Sequence, residues 1–186
     1  MQVNFKGILL TGLFIGVFLP QLKAEFLNPA DSSRLSFGIE VPVTYSYLGL
    51  AGCAGVTLTK SVHTFAAGMR TSFTYFTRYS DMPYGGYTGY RLALSHRKKF
   101  VPFAEVFYAN QFFKISSPSG AAKGLYQAHE IYLAYGASWH LTNRLHLAHS
   151  IGFGGYQERH PNFYGSSAVE QKHVGYFTKV AIGYAF

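Results

Sequence analysis

The chain has 186 residues, enough for one domain, with 15 Tyr, 17 Phe and 20 Gly but only 13% charged residues, where average soluble domains carry about 25%. So many glycines with so few helix formers exclude a helical bundle, and the single cysteine, Cys53, excludes a disulfide framework within the chain. The formal charge is +8, a balance that in an intracellular protein would point to nucleic acid; the first residues argue against that partner by pointing to export.

Lys6 supplies a basic start, residues 8–19 (ILLTGLFIGVFL) form an apolar run, Pro20 breaks it, and Leu22-Lys23-Ala24 offers a cleavage site after Ala24. This is the plan of a signal peptide over residues 1–24. The run is shorter than the roughly 18 to 20 residues of a spanning helix. Cys53 lies far from the cleavage site, which argues against a lipoprotein. Residues 25–186 are then the mature domain.

From there the sequence alternates. Residues 34–45 place Leu35, Phe37, Ile39, Val41 and Val43 on one face and Ser36, Gly38, Glu40, Pro42 and Thr44 on the other, the period of a strand. A Gly-rich loop is expected over 46–54. A short strand follows over 55–59, with Val56 and Leu58 outward, too short to span unless it takes in part of that loop. Residues 60–63 make a tight turn. Residues 64–76 form a long strand, with Phe65, Ala67, Met69, Thr71, Phe73 and Tyr75 outward and Arg70 among the inward set. Residues 78–86 are dense in turn formers.

Residues 87–95 form a strand with Tyr90, Leu92 and Leu94 on one face and Arg91 on the other. A basic turn covers 96–99. The strand over 101–113 alternates least cleanly; with Ala104, Val106 and Tyr108 outward, Phe103, Glu105, Phe107 and Gln111 point inward. A polar loop is expected over 114–127. The strand 128–140 puts Ile131, Leu133, Tyr135, Ala137 and Trp139 outward and Glu130 inward. After a turn at 141–144, the strand 145–156 puts Leu145, Leu147, Ile151 and Phe153 outward, with His149 oddly among them. Residues 157–173 read as the longest loop. The final stretch, 174–186 (VGYFTKVAIGYAF), alternates Tyr176, Thr178, Val180, Ile182, Tyr184 and Phe186 against Phe177, Lys179, Ala181, Gly183 and Ala185.

The expected connections alternate longer, tight, longer, tight, longer, tight, longer. An even strand number, short turns at one end and longer loops at the other are features of membrane barrels. The fold class predicted is all-β: an eight-stranded antiparallel up-and-down transmembrane barrel, whose closure removes the exposed edges. Trp139, Phe100 and Phe186 near one end, and Tyr45, Tyr75, Tyr108 and Phe153 near the other, supply aromatic girdles. A soluble eight-stranded barrel of lipocalin type would reverse the polarity, with bulky apolar residues inside. The closing strand with its terminal Phe, and the architecture from about residue 30 on, resemble the small bacterial outer-membrane β-barrel proteins of Gram-negative cells, with barrels like those of OmpA and OmpX and without a periplasmic domain.

The alternation sends Glu40, Arg70, Arg91, Glu105, Glu130 and Lys179 to the inside, three acids and three bases. An eight-stranded barrel has an interior just wide enough for side chains to fill, and charges buried there must pair. The six are expected to form a salt-bridge network that plugs the lumen; a gated narrow path, in which the pairs switch partners, is the functional alternative. The resemblance implies that the last residues, with Tyr184 and Phe186, serve as the signal read by the barrel-insertion machinery.

Histidine offers less. His140 and His146 flank a tight turn and both face inward, but two imidazoles make a weak metal site, and neither metal nor cofactor is expected. Some small outer-membrane barrels modify lipid A. Their deacylases carry His-x-Ser-Asn, where this chain has His149-Ser150-Ile151-Gly152, and adjacent residues point to opposite faces. The function expected is therefore that of a non-enzymatic, monomeric protein of the cell outer membrane, serving envelope structure or surface interaction through its external loops. A narrow, porin-like channel and a lipid A-modifying enzyme are the alternatives. The partners expected are outer-membrane lipid, lipopolysaccharide phosphates met by Arg78, Lys114, Lys123, Arg159 and Lys172, and the insertion machinery; no nucleic acid is expected.

Overall fold

The computed structural model describes residues 35–74, 83–95, 99–116, 123–161 and 169–186. The expected leader, Tyr75, Arg78 and most of the basic turn at 96–99 lie outside the described residues.

Eight strands follow one another: β1 (Leu35–Ser46), β2 (Gly49–Lys60), β3 (His63–Ser72), β4 (Gly85–Ala93), β5 (Phe100–Ser116), β6 (Lys123–His140), β7 (Leu145–His160) and β8 (Val169–Ala185). Each pairs antiparallel with the next, and β8 returns to β1, so the sheet is a closed barrel. The seam runs from Gly38↔Ala185 to Tyr45↔Thr178. The Phe186 N–H donates to the Phe37 carbonyl at 2.8 Å, extending the seam by one residue. Closure gives every strand two neighbours, which matters because an open edge in hydrocarbon leaves backbone groups unsatisfied at several kcal/mol each. Pro42, which has no N–H to donate, sits where the β1–β2 ladder lapses between Glu40↔Gly55 and Val43↔Gly52, and keeps its pairing with Ala181 on the other side.

The strands are staggered. Partners followed around the ring run Glu40, Gly55, Gly68, Tyr87, Ala109, Glu130, Tyr156 and His173, and the β8–β1 register then returns roughly ten positions further up β1. In an eight-stranded barrel that stagger corresponds to a strand tilt of about 40°. It brings residues far apart in register to one level of the lumen.

The side chains sort by period two. On β1, Leu35, Phe37, Ile39, Val41 and Val43 are exposed while Glu40, Thr44 and Ser46 are buried. Met69 on β3 and Leu133 on β6 are 77% and 67% exposed, and Glu105 and Glu130 are each 1% exposed. This barrel is apolar outside and charged inside, the reverse of a soluble one. Soluble monomers rarely expose contiguous apolar patches beyond a few hundred Å², so the outer surface is suited to lipid. The phase expected for the irregular strand holds: Phe103, Glu105, Phe107 and Gln111 of β5 are buried and Val106 is exposed.

Several boundaries differ from the sequence reading. The Gly-rich segment 46–54 is not a loop. Ser46 pairs with Gly49 across a two-residue turn, Tyr47–Leu48, and β2 is a full twelve residues long. Glycine density imitates a loop, yet Ala51, Cys53 and Gly55 sit in the β2 ladder facing the lumen, where small side chains leave room. Gly49 is where the turn itself needs glycine: its φ is +90°, and a Cβ there would lie 2.2 Å from Thr74 Oγ1. At the other end β3 stops at Ser72 rather than at residue 76. β5 to β8 run into the polar loops expected at 114–127 and 157–173, continuing past the apolar belt as 16- to 18-residue strands that take in 114–116, 123–127, 157–160 and 169–173. On β7 the inward period continues through Tyr156 and Glu158, whereas Val169 to Val174 of β8 are all exposed. No helix of the described residues is long and apolar enough to cross a membrane, which says nothing about a barrel.

Candidate functional site: the barrel lumen

All six charged residues expected inside are buried, and they form two groups. In the lower group, Arg91 is held inward on β4 by its outward neighbours Tyr90 and Leu92. Its Nη1 and Nη2 donate to Glu40 Oε2 and Oε1, both at 2.5 Å, in a bidentate pair. Its Nε donates to Glu105 Oε1 at 2.9 Å. Lys179 of β8 pairs with the same Glu105 oxygen, and Ser150 Oγ of β7 donates to Glu105 Oε2 at 3.1 Å. Two carboxylates are thus neutralised by one guanidinium and one ammonium, drawn from four strands, with the Ser150 hydroxyl added from a fifth. In the upper group, Arg70 Nη1 donates to Glu130 Oε2 at 2.8 Å, and Ser46 Oγ donates to Glu130 Oε1 at 2.6 Å. Removing an ion from water costs several kcal/mol even in a relaxed protein. These oxygens therefore hold charge here only because each finds a donor.

Between the groups lies a layer of rings. Phe107 is the next inward position above Glu105, Phe177 the next above Lys179, and Tyr132 the next below Glu130. Their centroids stand 4.7 Å apart for Phe107–Phe177 and 4.9 Å for Tyr132–Phe177, with Tyr87 stacked at 5.7 Å from Phe107. Phe107 and Phe177 are 0% exposed. Lys179 Nζ also stands 5.4 Å over the Phe107 ring, and Arg91 lies at the same distance over Phe103 below it. The aromatic layer was not singled out from the sequence. The signal was there in Phe107, Phe177 and Tyr132: bulky rings on a face otherwise built of Gly, Ala and Ser.

The upper lumen is polar and incompletely paired. Arg70 Nε, both amide atoms of Gln111, and the hydroxyls of Tyr87 and Tyr132 are buried without a protein partner. Buried groups of this kind are ordinarily satisfied by ordered water. Above them, Leu48, Phe113, Tyr126 and Ala128 form an apolar cluster, and Tyr126 Oη donates to Glu158 Oε1 at 2.6 Å. Glu158 is a fourth lumen acid, 3.3 Å from His160 Nε2. The sequence reading missed it by placing residues 157–173 in a loop, although Tyr156, Glu158 and His160 continue the inward period of β7.

Other residues of interest fall as follows. His140 and His146 are cross-strand partners with ring centroids 5.7 Å apart, and no cluster of three or more metal-ligating side chains occurs among the described residues. His149 faces outward with no bulge in the β7 ladders. Its ring lies 3.2 Å from Thr178 Oγ1, which in turn donates to the Ser150 carbonyl at 3.3 Å. Ser150 points the other way, to Glu105, so His149 and Ser150 do not meet. Cys53 is a buried free thiol. At the seam end, the Tyr184 and Phe186 rings meet edge to face at 5.4 Å, and Arg144 Nη1 donates to the Tyr184 hydroxyl at 3.3 Å.

No protein-family model matches this sequence, and no curated protein matches it by sequence. Solved structures do. The N-terminal β-barrel domain of Pseudomonas aeruginosa OprF is similar over 81% of this chain and 97% of its own, with a TM-score of 0.58 at 10% identity. Neisserial surface protein A is similar over 82% of this chain and 96% of its own, at TM-score 0.46 and 9% identity. The outer-membrane protease OmpT from Escherichia coli covers 89% of this chain with the whole of its own, at TM-score 0.38 and 7% identity. The fold of this chain is that of the small outer-membrane β-barrels.

Proposed function

We propose that this chain is an integral, non-enzymatic protein of the bacterial outer membrane, with a lumen plugged by its own side chains, serving envelope structure or surface interaction through its external loops. The observation that carries the reading is the filled lumen: paired Glu40, Arg91, Glu105 and Lys179 below, paired Arg70 and Glu130 above, and fully buried Phe107 and Phe177 between. Membrane placement rests on the apolar exterior and charged interior. The exposed Lys114, Arg159 and Lys172 extend toward the end where lipopolysaccharide phosphates would be met. Tyr184 and Phe186 at the seam are the residues assigned to the insertion machinery. A lipid-modifying activity like that of the deacylases is disfavoured because Ser150 points into the lumen and His149 away from it.

A second reading, a narrow ion or solute path, is favoured by one observation: the unpartnered polar atoms of Arg70, Gln111, Tyr87 and Tyr132 in the upper lumen. Single-channel recording on protein reconstituted in planar bilayers separates the two. The plug reading expects no steady conductance. Steady openings whose size changes in Glu40→Gln would replace it with the channel reading. Fractionation of cells, with heat-modifiable gel mobility of the purified protein, tests the membrane placement.

A further inference from the structure

The lipid-facing side of β1 to β5 carries a concave stretch. A groove of about 620 Å³ opens there, within the roughly 300–1,000 Å³ of pockets that hold small ligands. Its floor is made by Ala67 and Thr88, register partners on β3 and β4 that are both short. Phe37, Phe65, Tyr90 and Tyr108 stand around it. A convex barrel wall offers a lipid chain contact on one side only. A groove with rings on its flanks and a low floor offers contact on several sides, and dispersion gains sum over every such contact.

The rim nearer the Ser61–Val62 turn is polar. The Tyr90 hydroxyl and His63 Nδ1 are 2.7 Å apart. His63 pairs with Lys60 across the turn, and both are exposed on the outer face. An apolar trough ending in a cation, an imidazole and a hydroxyl has the complementarity of a single phospholipid. The short-turn end of such barrels lies on the periplasmic side, where phospholipid forms the leaflet. We infer that this groove binds one phospholipid, with an acyl chain over Ala67 and Thr88 and the phosphodiester at Lys60 and His63. The inference rests on the membrane reading given above.

The test is native mass spectrometry of the detergent-solubilised full-length protein with palmitoyl-oleoyl phosphatidylglycerol, with hexadecanol and inorganic phosphate as separate arms. Wild type should retain one phosphatidylglycerol under activation that strips the detergent. Ala67→Phe/Thr88→Phe, which fills the floor from the outer face, should weaken retention about tenfold or more. Lys60→Gln/His63→Asn should weaken phosphatidylglycerol about fivefold, the ~1 kcal/mol that a basic residue contributes at a membrane surface, and leave hexadecanol unchanged. Equal retention by wild type and Ala67→Phe/Thr88→Phe overturns the inference. So does tight binding of inorganic phosphate alone, or a dimer that the floor substitutions dissociate, which would make a second copy the occupant. Ala67→Leu replaces the double variant if that one does not fold. Heat-modifiable mobility separates the two levels: its absence in wild type removes the membrane reading, whereas its presence with no lipid retained removes only the groove site.

Discussion

Arg91 is the residue whose loss the lumen should tolerate least. Arg91→Met keeps much of the volume and removes the guanidinium. Glu105 would still hold Lys179 and Ser150, but both hydrogen bonds recorded for the Glu40 carboxylate come from Arg91. A buried carboxylate 1% exposed would be left without its partner, and breaking one side of a buried pair costs about 3–5 kcal/mol. At a urea slope of about 1–3 kcal/mol per molar, that lowers the unfolding midpoint by roughly 2 M. Replacing the pair by groups that need no counter-charge should behave differently. Glu40→Gln/Arg91→Met should recover most of the loss, because an apolar or neutral substitute for a whole buried pair is often close to neutral. The assay is urea unfolding in phosphatidylcholine vesicles, followed by gel mobility and by the fluorescence of Trp139, the chain's single tryptophan. A midpoint that does not move in Arg91→Met would refute the reasoning, and so would a double variant as unstable as the single one.

Three further outcomes follow from the same geometry. Leu133→Arg on the outer face should cost about 2–4 kcal/mol near the bilayer midplane, while Asn143→Arg in an exposed turn should cost nearly nothing; equal unfolding midpoints for the two would mean that the outer face is not in lipid. Phe177→Ala removes the ring packed between Phe107 and Tyr132 and should cost about 3–5 kcal/mol, with conductance in planar bilayers rising above that of wild type if the ring layer is the seal. Gly49→Val meets both the +90° φ and Thr74 and should lower stability by about 1–3 kcal/mol for the backbone alone, whereas Ala51→Gly on the same strand, measured in the same urea series, should lose about 1 kcal/mol or less.

Much of this protein is written locally. Alternation has a period of two residues and needs no knowledge of the rest of the chain. Leu35 to Val43 therefore announced an apolar outer face, and Glu40, Arg91 and Lys179 announced a charged inner one, each from its own neighbours. His149 likewise turned outward as its neighbours required, and its Thr178 partner on β8 explains how a histidine is accommodated there. Strand ends were less legible. Glycines at 49–55 imitated a loop, and polar residues at 157–160 and 169–173 hid two strand extensions, because hydrophobicity marks the lipid belt rather than the ladder.

Partner choice was not legible at all. Six inward charges permit many pairings. The one adopted, Glu40 with Arg91 across the lumen and Arg70 with Glu130 above the rings, depends on a stagger of roughly ten residues accumulated over eight ladders. A stagger belongs to the closed ring and to no single strand. The sequence by itself determined which side chains enter the lumen, since facing is a property of two adjacent residues. Only the tertiary structure decided which of them meet, since height in a tilted barrel is the sum of every register around it.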